Sequence, residues 1–226
     1  RAGGAGGPRI GGMRHLGLAK TALIAGDIPN EFWPGGALGV PGGEEVVPLV
    51  NELARRFPVS VLTQDWHPAG HISFASSHPG KKPYDSDNSG GRALTLWPDH
   101  CVQGTPGAGF HPDLDLKPYR VVIRKGFRPH LDSYSTFFEN DGATPTGLEG
   151  FLRSLHVTTI VMAGLAFDYC VYFSALDAIS LGFAVVVARD ATRAVDLPPG
   201  NADRIAGYMT SRGVTLSTTG EILEHA

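Results

Sequence analysis

The feature that most constrains this chain is a recurrence of short apolar runs, most of them rich in β-branched residues. They are Thr21–Gly26, Pro58–Thr63, Tyr119–Arg124, Thr159–Ala163, Phe183–Ala188 and Val214–Leu216. Thr159-Ile160-Val161-Met162-Ala163 is apolar at almost every position, as a parallel strand covered on both faces should be. Between these runs the period changes. In Glu44–Phe57, Val46, Val47, Val50, Leu53, Ala54 and Phe57 recur at helical spacing. Cys170, Phe173, Ala175, Leu176, Ile179 and Leu181 fit a second helix with one buried face, and Gly147–His156 and Asn201–Arg212 read as further helices. Strands alternating with helices along the whole length predict an α/β fold: a single-domain, doubly wound, mostly parallel β-sheet flanked by helices.

Composition narrows the class. A chain of 226 residues suits one domain with a sizeable core. A net charge of −3 offers no basic surface for nucleic acid. No apolar run approaches membrane-spanning length, so no membrane is expected as a partner. Two cysteines, Cys101 and Cys170, make no disulfide framework and suggest free thiols in a reducing, cytoplasmic compartment. Residues 1–12 are Gly-rich with no apolar signal core, and read as an extension ahead of one domain over 13–226. The 30 glycines and 17 prolines signal many tight turns and shaped loops.

Polar groups collect where the runs end. Asp27 follows the first run, and in an open parallel sheet the strands' C-terminal ends are where ligands bind; a loop cap is the plainer reading. Phe32-Trp33-Pro34 then forms an aromatic loop over the same edge. After the second run, Asp65 and His67 alternate on extended chain and so face the same way. His71 returns after a Pro-Ala-Gly turn. One carboxylate and two imidazoles in seven residues is metal-ligand spacing, and a His-rich surface loop is the weaker alternative. His100 is a candidate fourth ligand or a lone loop histidine, and its neighbour Cys101 reads as packing. Lys125 ends the third run on the same edge. Cys170 opens a helix straight after a strand, where free N–H groups favour a thiolate or receive an oxyanion; taken alone, the plainer reading, a small buried hydrophobe, comes first. Ser76–Leu96 is a long polar loop, either a lid or an exposed insertion. Asp132–Phe138 brings aromatics toward the edge, and His78, His111, His130 and His156 have no comparable setting.

Five stretches in order, Ala22–Phe32, Gln64–Ser76, Trp97–Ala108, Lys125–Phe138 and Val161–Val171, resemble the nicotinamidase branch of the isochorismatase-like cysteine hydrolase family. The resemblance implies a catalytic triad of Asp27, Lys125 and Cys170. It implies an oxyanion hole from the backbone N–H groups of Ala166 and Cys170, with a cis peptide before Ala166. Phe32, Trp97 and Tyr134 match positions that enclose a pyridine ring. Asp65, His67, His71 and His100 match ligands of one divalent metal, suited to Zn²⁺ with Mn²⁺ or Fe²⁺ as alternatives. The implied reaction is hydrolysis of nicotinamide to nicotinate and ammonia through a cysteine thioester, in NAD salvage. Pyrazinamide-like amides are further candidate substrates, and homo-oligomerisation is left open. Two departures stand out: Pro29 and Glu31 beside Asp27, and Phe167 where the family commonly has Thr. The rival readings are an amidohydrolase for another small amide, a vinyl-ether hydrolase, which needs no Cys nucleophile, and a metal-binding module without catalysis. The module has no need of Asp27 and Lys125 on one edge.

Overall fold

A computed structural model of the chain describes residues 9–10, 13–88 and 93–226. Of the expected extension over 1–12, residues 1–8 and 11–12 lie outside the described residues, and Arg9–Ile10 pairs antiparallel with Met13–Arg14. Six strands build the main sheet: β1 (Thr21–Gly26), β2 (Val59–Asp65), β3 (Tyr119–Lys125), β4 (Thr159–Leu165), β5 (Ala184–Arg193) and β6 (Thr215–Ser217). All pairings are parallel, and the spatial order is β3-β2-β1-β4-β5-β6. The order reverses between β1 and β4, the position where open α/β sheets leave a crevice at their C-terminal edge.

Side-chain alternation along the strands feeds two cores. Leu23, Ala25, Val161, Ala163, Val186 and Ala188 face one side, under α1 (Val46–Arg56) and α5 (Thr219–His225). Ala22, Ile24, Ile160, Met162, Val185 and Val187 face the other, under α2 (Leu148–Ser154), α3 (Tyr172–Ser180) and α4 (Asn201–Ser211). Both faces of the central strands are therefore dry, which is why their sequences are continuously apolar. β3 lies at the edge and alternates instead, with Arg120, Val122 and Arg124 exposed.

Three elements differ from the sequence expectation. β5 runs on to Arg193 rather than ending near Ala188. Helix α5 was not expected; its start is a capping box, in which the Thr218 hydroxyl accepts the Glu221 N–H while the Glu221 carboxylate accepts the Thr218 N–H. Among its described residues the connection from β2 to β3 contains no α-helix, and it carries His67, His71, Trp97 and His100 over the sheet edge. Within it, Ser86–Asp87 pairs with Leu94–Thr95, so the described part of the 76–96 loop is anchored; residues 89–92 lie outside the described residues. The Tyr84 ring meets Trp97 edge-on at 5.9 Å, at the flank of the pocket described below. Among the described residues no helix is long and apolar enough to cross a membrane.

Candidate active site

The site is built where β1 meets β4. Gly26 pairs with Gly164, whose φ is +98°, and a Cβ on Gly164 would stand 2.0 Å from the Gly26 carbonyl oxygen. Only glycine permits this approach, and it brings Asp27 beside the turn that follows β4. Asp27 is fully buried, and its carboxylate accepts a hydrogen bond from the Thr63 hydroxyl at 2.9 Å. Lys125, at the end of β3, reaches across. Its Nζ lies 2.8 Å from Asp27 Oδ2, 2.5 Å from Asp65 Oδ1 and 3.5 Å from Cys170 Sγ, and donates to the Ser133 carbonyl at 3.1 Å. Four segments distant in sequence thus converge on one ammonium.

The electrostatics follow from burial and pairing. Burial lowers the pKa of Lys125, but the carboxylates of Asp27 and Asp65 outweigh it and hold the ammonium well above its ordinary range. Asp27 is raised, first by burial and then by Asp65, with Lys125 and Thr63 pulling it back. Cys170 is raised well above an ordinary thiol. Burial is the main cause; Lys125 opposes it, and the Asp27 and Asp65 charges reinforce it. Burial thus favours the protonated thiol at Cys170, and the opposing Lys125 ammonium is shared with two carboxylates. The helix-terminus argument for a standing thiolate gives way to burial.

The turn holding Cys170 is also wider than expected. Phe167–Val171 forms a single π-type turn before α3, with the Ala166 carbonyl accepting the N–H groups of Tyr169 and Val171. The Leu165–Ala166 peptide is cis, as the resemblance implies. Phe167 points away from the crevice into the second core, and the Arg189 guanidinium lies over its ring at 4.2 Å. A hydrophobic residue suits this place because it fills that core rather than lining the site. Asp168, to which the sequence reading gave no role, is buried and clamps the loop after β5: its carboxylate accepts the N–H groups of Val195 at 2.9 Å and Asp196 at 2.8 Å.

Beside this cluster stand the candidate metal donors. Asp65 Oδ2 lies 3.8 Å from His67 Nε2 and 3.9 Å from His100 Nε2, and the three form a buried group that could hold a metal ion. The tautomers follow from backbone partners. His67 Nδ1 lies 2.9 Å from the Gly126 carbonyl and His100 Nδ1 lies 2.7 Å from the Pro98 carbonyl. Carbonyls only accept, so both Nδ1 atoms carry the proton and both Nε2 lone pairs face Asp65. Burial, with His100 next, keeps His67 well below its ordinary pKa and hence neutral. This donor set fits a divalent ion.

His71 is arranged differently. Its Nδ1 accepts the Ser73 N–H at 3.3 Å, and its Nε2 donates toward the Leu131 carbonyl at 3.3 Å. It groups with His67 and Asp132 rather than with Asp65. Asp132 escaped the sequence reading as a donor; its Oδ2 is buried without a hydrogen-bond partner, and no spacing signal singled it out.

A cavity opens onto both clusters. Phe32, Trp97 and Tyr134 line it, together with Cys170, Ala166, Asp65, His67 and His100. Tyr169, Leu38, Val40 and Val195 complete the apolar wall and were not singled out from sequence. The aromatics lock one another: Trp97 Nε1 donates to the Tyr134 hydroxyl at 3.0 Å, and the Trp97 and Tyr169 rings meet edge-on at 4.9 Å.

The fold and site define a doubly wound α/β protein with a buried thiol, carboxylate and ammonium set against metal-type donors in an aromatic pocket. The isochorismatase domain model matches residues 21–221, and the chain belongs to that family. It is 46% identical over 178 residues to the nicotinamidase of Acinetobacter baylyi, covering 79% of this chain and 83% of that one. The solved Acinetobacter baumannii nicotinamidase/pyrazinamidase superposes with a TM-score of 0.87 at 43% identity, covering 90% of this chain and 98% of that one. The Pyrococcus horikoshii pyrazinamidase, solved in complex with zinc, gives a TM-score of 0.71 at 37% identity, covering 88% and 99%.

Proposed function

We propose that this chain is a nicotinamidase, hydrolysing nicotinamide to nicotinate and ammonia at Cys170. The observation that carries the reading is the buried Lys125 ammonium in contact with Asp27, Asp65 and Cys170 together, the last two lining an aromatic cavity. The kinship with nicotinamidases supports the same substrate.

The raised thiol sets the order of events. Sγ attacks the amide carbon as its proton passes to Asp27, so thiolate forms in step with the new S–C bond. Lys125 keeps Asp27 oriented and balances its charge. The carbonyl oxygen becomes an oxyanion, received by the backbone N–H groups of Ala166 and Cys170. Asp27 returns the proton to the amide nitrogen, the C–N bond breaks and ammonia leaves. Asp27 then takes a proton from water, whose oxygen attacks the thioester carbon; the C–S bond breaks, Asp27 returns the proton to sulfur, and the acid leaves as nicotinate with its proton passing to solvent. Phe32, Trp97, Tyr134 and Tyr169 hold the ring and exclude bulk water.

Asp65, His67 and His100 supply the protein's ligands for a divalent metal, with His71 packed on the His67 ring at 4.4 Å. The zinc in the Pyrococcus horikoshii relative supports Zn²⁺. A divalent ion held by these three residues would supply Lewis acidity beside the ring pocket. Pyrazinamide, with nitrogen at the same ring position relative to its amide, is a second substrate of this pocket.

The test is ammonia release from nicotinamide by purified protein, with Cys170→Ala alongside. Turnover in the wild type and none in the variant is expected. Equal turnover in both would remove Cys170 from the mechanism.

A further inference from the structure

Glu31, one of the two departures beside Asp27, makes a contact that bears on both histidine donors. Its carboxylate Oε2 accepts the backbone N–H of Cys101 at 2.5 Å. Cys101 directly follows His100 and holds a left-handed conformation, φ +48°, which is uncommon for a residue with a Cβ. The Cys101 carbonyl in turn accepts the N–H of His67 at 3.0 Å, and the His67 carbonyl accepts the Gln103 N–H at 2.8 Å. The Cys101 peptide groups are therefore the junction between the two strands of irregular chain that carry His67 and His100.

Space around Glu31 has been kept for this contact. Gly107 lies against the carboxylate so closely that a Cβ there would stand 2.2 Å from Glu31 Cδ. The segment is pinned at Asn30 as well, whose N–H donates to the Gly109 carbonyl at 2.8 Å and whose side-chain amide donates to the Pro106 carbonyl at 2.7 Å. Phe32, next in sequence, lines the pocket and lies 6.1 Å from the His100 ring, centroid to centroid.

We propose that Glu31 is a positioning residue for the metal site: by holding the Cys101 N–H it fixes the backbone that aims His67 and His100 at Asp65. This rests on the reading that these three residues bind a divalent metal. A carboxylate is a strong acceptor for a backbone N–H and needs no movement to make the bond. Without it the Cys101 N–H loses its carboxylate acceptor, and ligands that depend on such supporting contacts lose affinity by about 10- to 100-fold when those contacts go.

The experiment measures Zn²⁺ and Mn²⁺ affinity by competition with a chromophoric chelator, on protein stripped of metal and checked for native circular dichroism. Glu31→Ala is expected to weaken both metals about tenfold or more. Glu31→Gln keeps an acceptor oxygen at the same reach and is expected to recover most of that loss. If Glu31→Ala does not fold, Glu31→Asp decides the matter, since it withdraws the carboxylate by one methylene and should weaken metal in the same direction. Wild-type affinity in folded Glu31→Ala or Glu31→Asp would overturn the proposal, as would equal losses in the Gln and Ala variants. Wild-type protein that binds neither metal would instead overturn the metal reading on which it rests.

Discussion

The Nζ of Lys125 lies 2.5 Å from Oδ1 of Asp65. This contact joins the thiol cluster to the metal donors, since the same ammonium also lies 2.8 Å from Asp27 and 3.5 Å from Cys170. The two halves of the site are thus one electrostatic unit, with a single buried cation balancing two buried carboxylates.

Lys125→Met is therefore expected to be costly twice over. Removing one partner of a buried ionic group leaves the others uncompensated, a loss of about 3–5 kcal/mol. Urea unfolding should show it, and ammonia release should fall by orders of magnitude in whatever protein remains folded. A variant as stable as the wild type would mean that neither Asp27 nor Asp65 needs the ammonium to offset a buried charge.

Asp27 sets the acid side of the pH profile. Its pKa is raised, first by burial and then by Asp65, above the ordinary value of 3.8. A base must be ionised to accept the thiol proton, so kcat/KM declines as pH falls through that raised value. The acid limb is expected above pH 3.8, and activity persisting undiminished below it would show that another group takes the proton.

Gly126→Ala tests the support under His67. Gly126 has φ +66°, and a Cβ there would stand 2.4 Å from His67 Cε1. The backbone conformation alone costs a residue other than glycine about 1–3 kcal/mol. The displaced ring adds a loss of metal affinity, read by titrating metal into stripped protein.

Asp168→Ala releases the loop after β5 from the turn that carries Cys170. Two backbone N–H groups, of Val195 and Asp196, lose their acceptor. The expected destabilisation is about 2 kcal/mol or more. Since Val195 lines the cavity, KM for nicotinamide should rise more than kcat falls. Unchanged KM would make Asp168 a purely structural clamp.

Much of the fold was legible because its signals are local. β1 was readable to the residue, and the apolar runs of β2, β4 and β5 each located a strand, since dry faces on both sides leave little room for polar residues; the edge strands β3 and β6 were legible from their β-branched runs although one face is exposed. Helix α5 was overlooked although Thr218 and Glu221 spell a capping box, because seven residues carry too little periodicity. Asp27, Asp65, His67, Lys125 and Cys170 were readable as polar groups at strand ends, a position that has functional meaning in a parallel sheet.

What the sequence by itself determined was the doubly wound topology and the identity of the groups at its C-terminal edge, because burial pattern and strand ends are written residue by residue. Only the tertiary structure decided how those groups divide. It gave Lys125 to both carboxylates, raised the Cys170 thiol by burial, turned His71 toward Ser73 and Leu131, placed Asp132 beside His67, and set Glu31 on the Cys101 N–H. Each of these depends on a distance between segments far apart in the chain. The Phe167 side chain was settled the same way: within the turn its ring could face the crevice or the core, and the Arg189 guanidinium above the core-facing ring comes from β5.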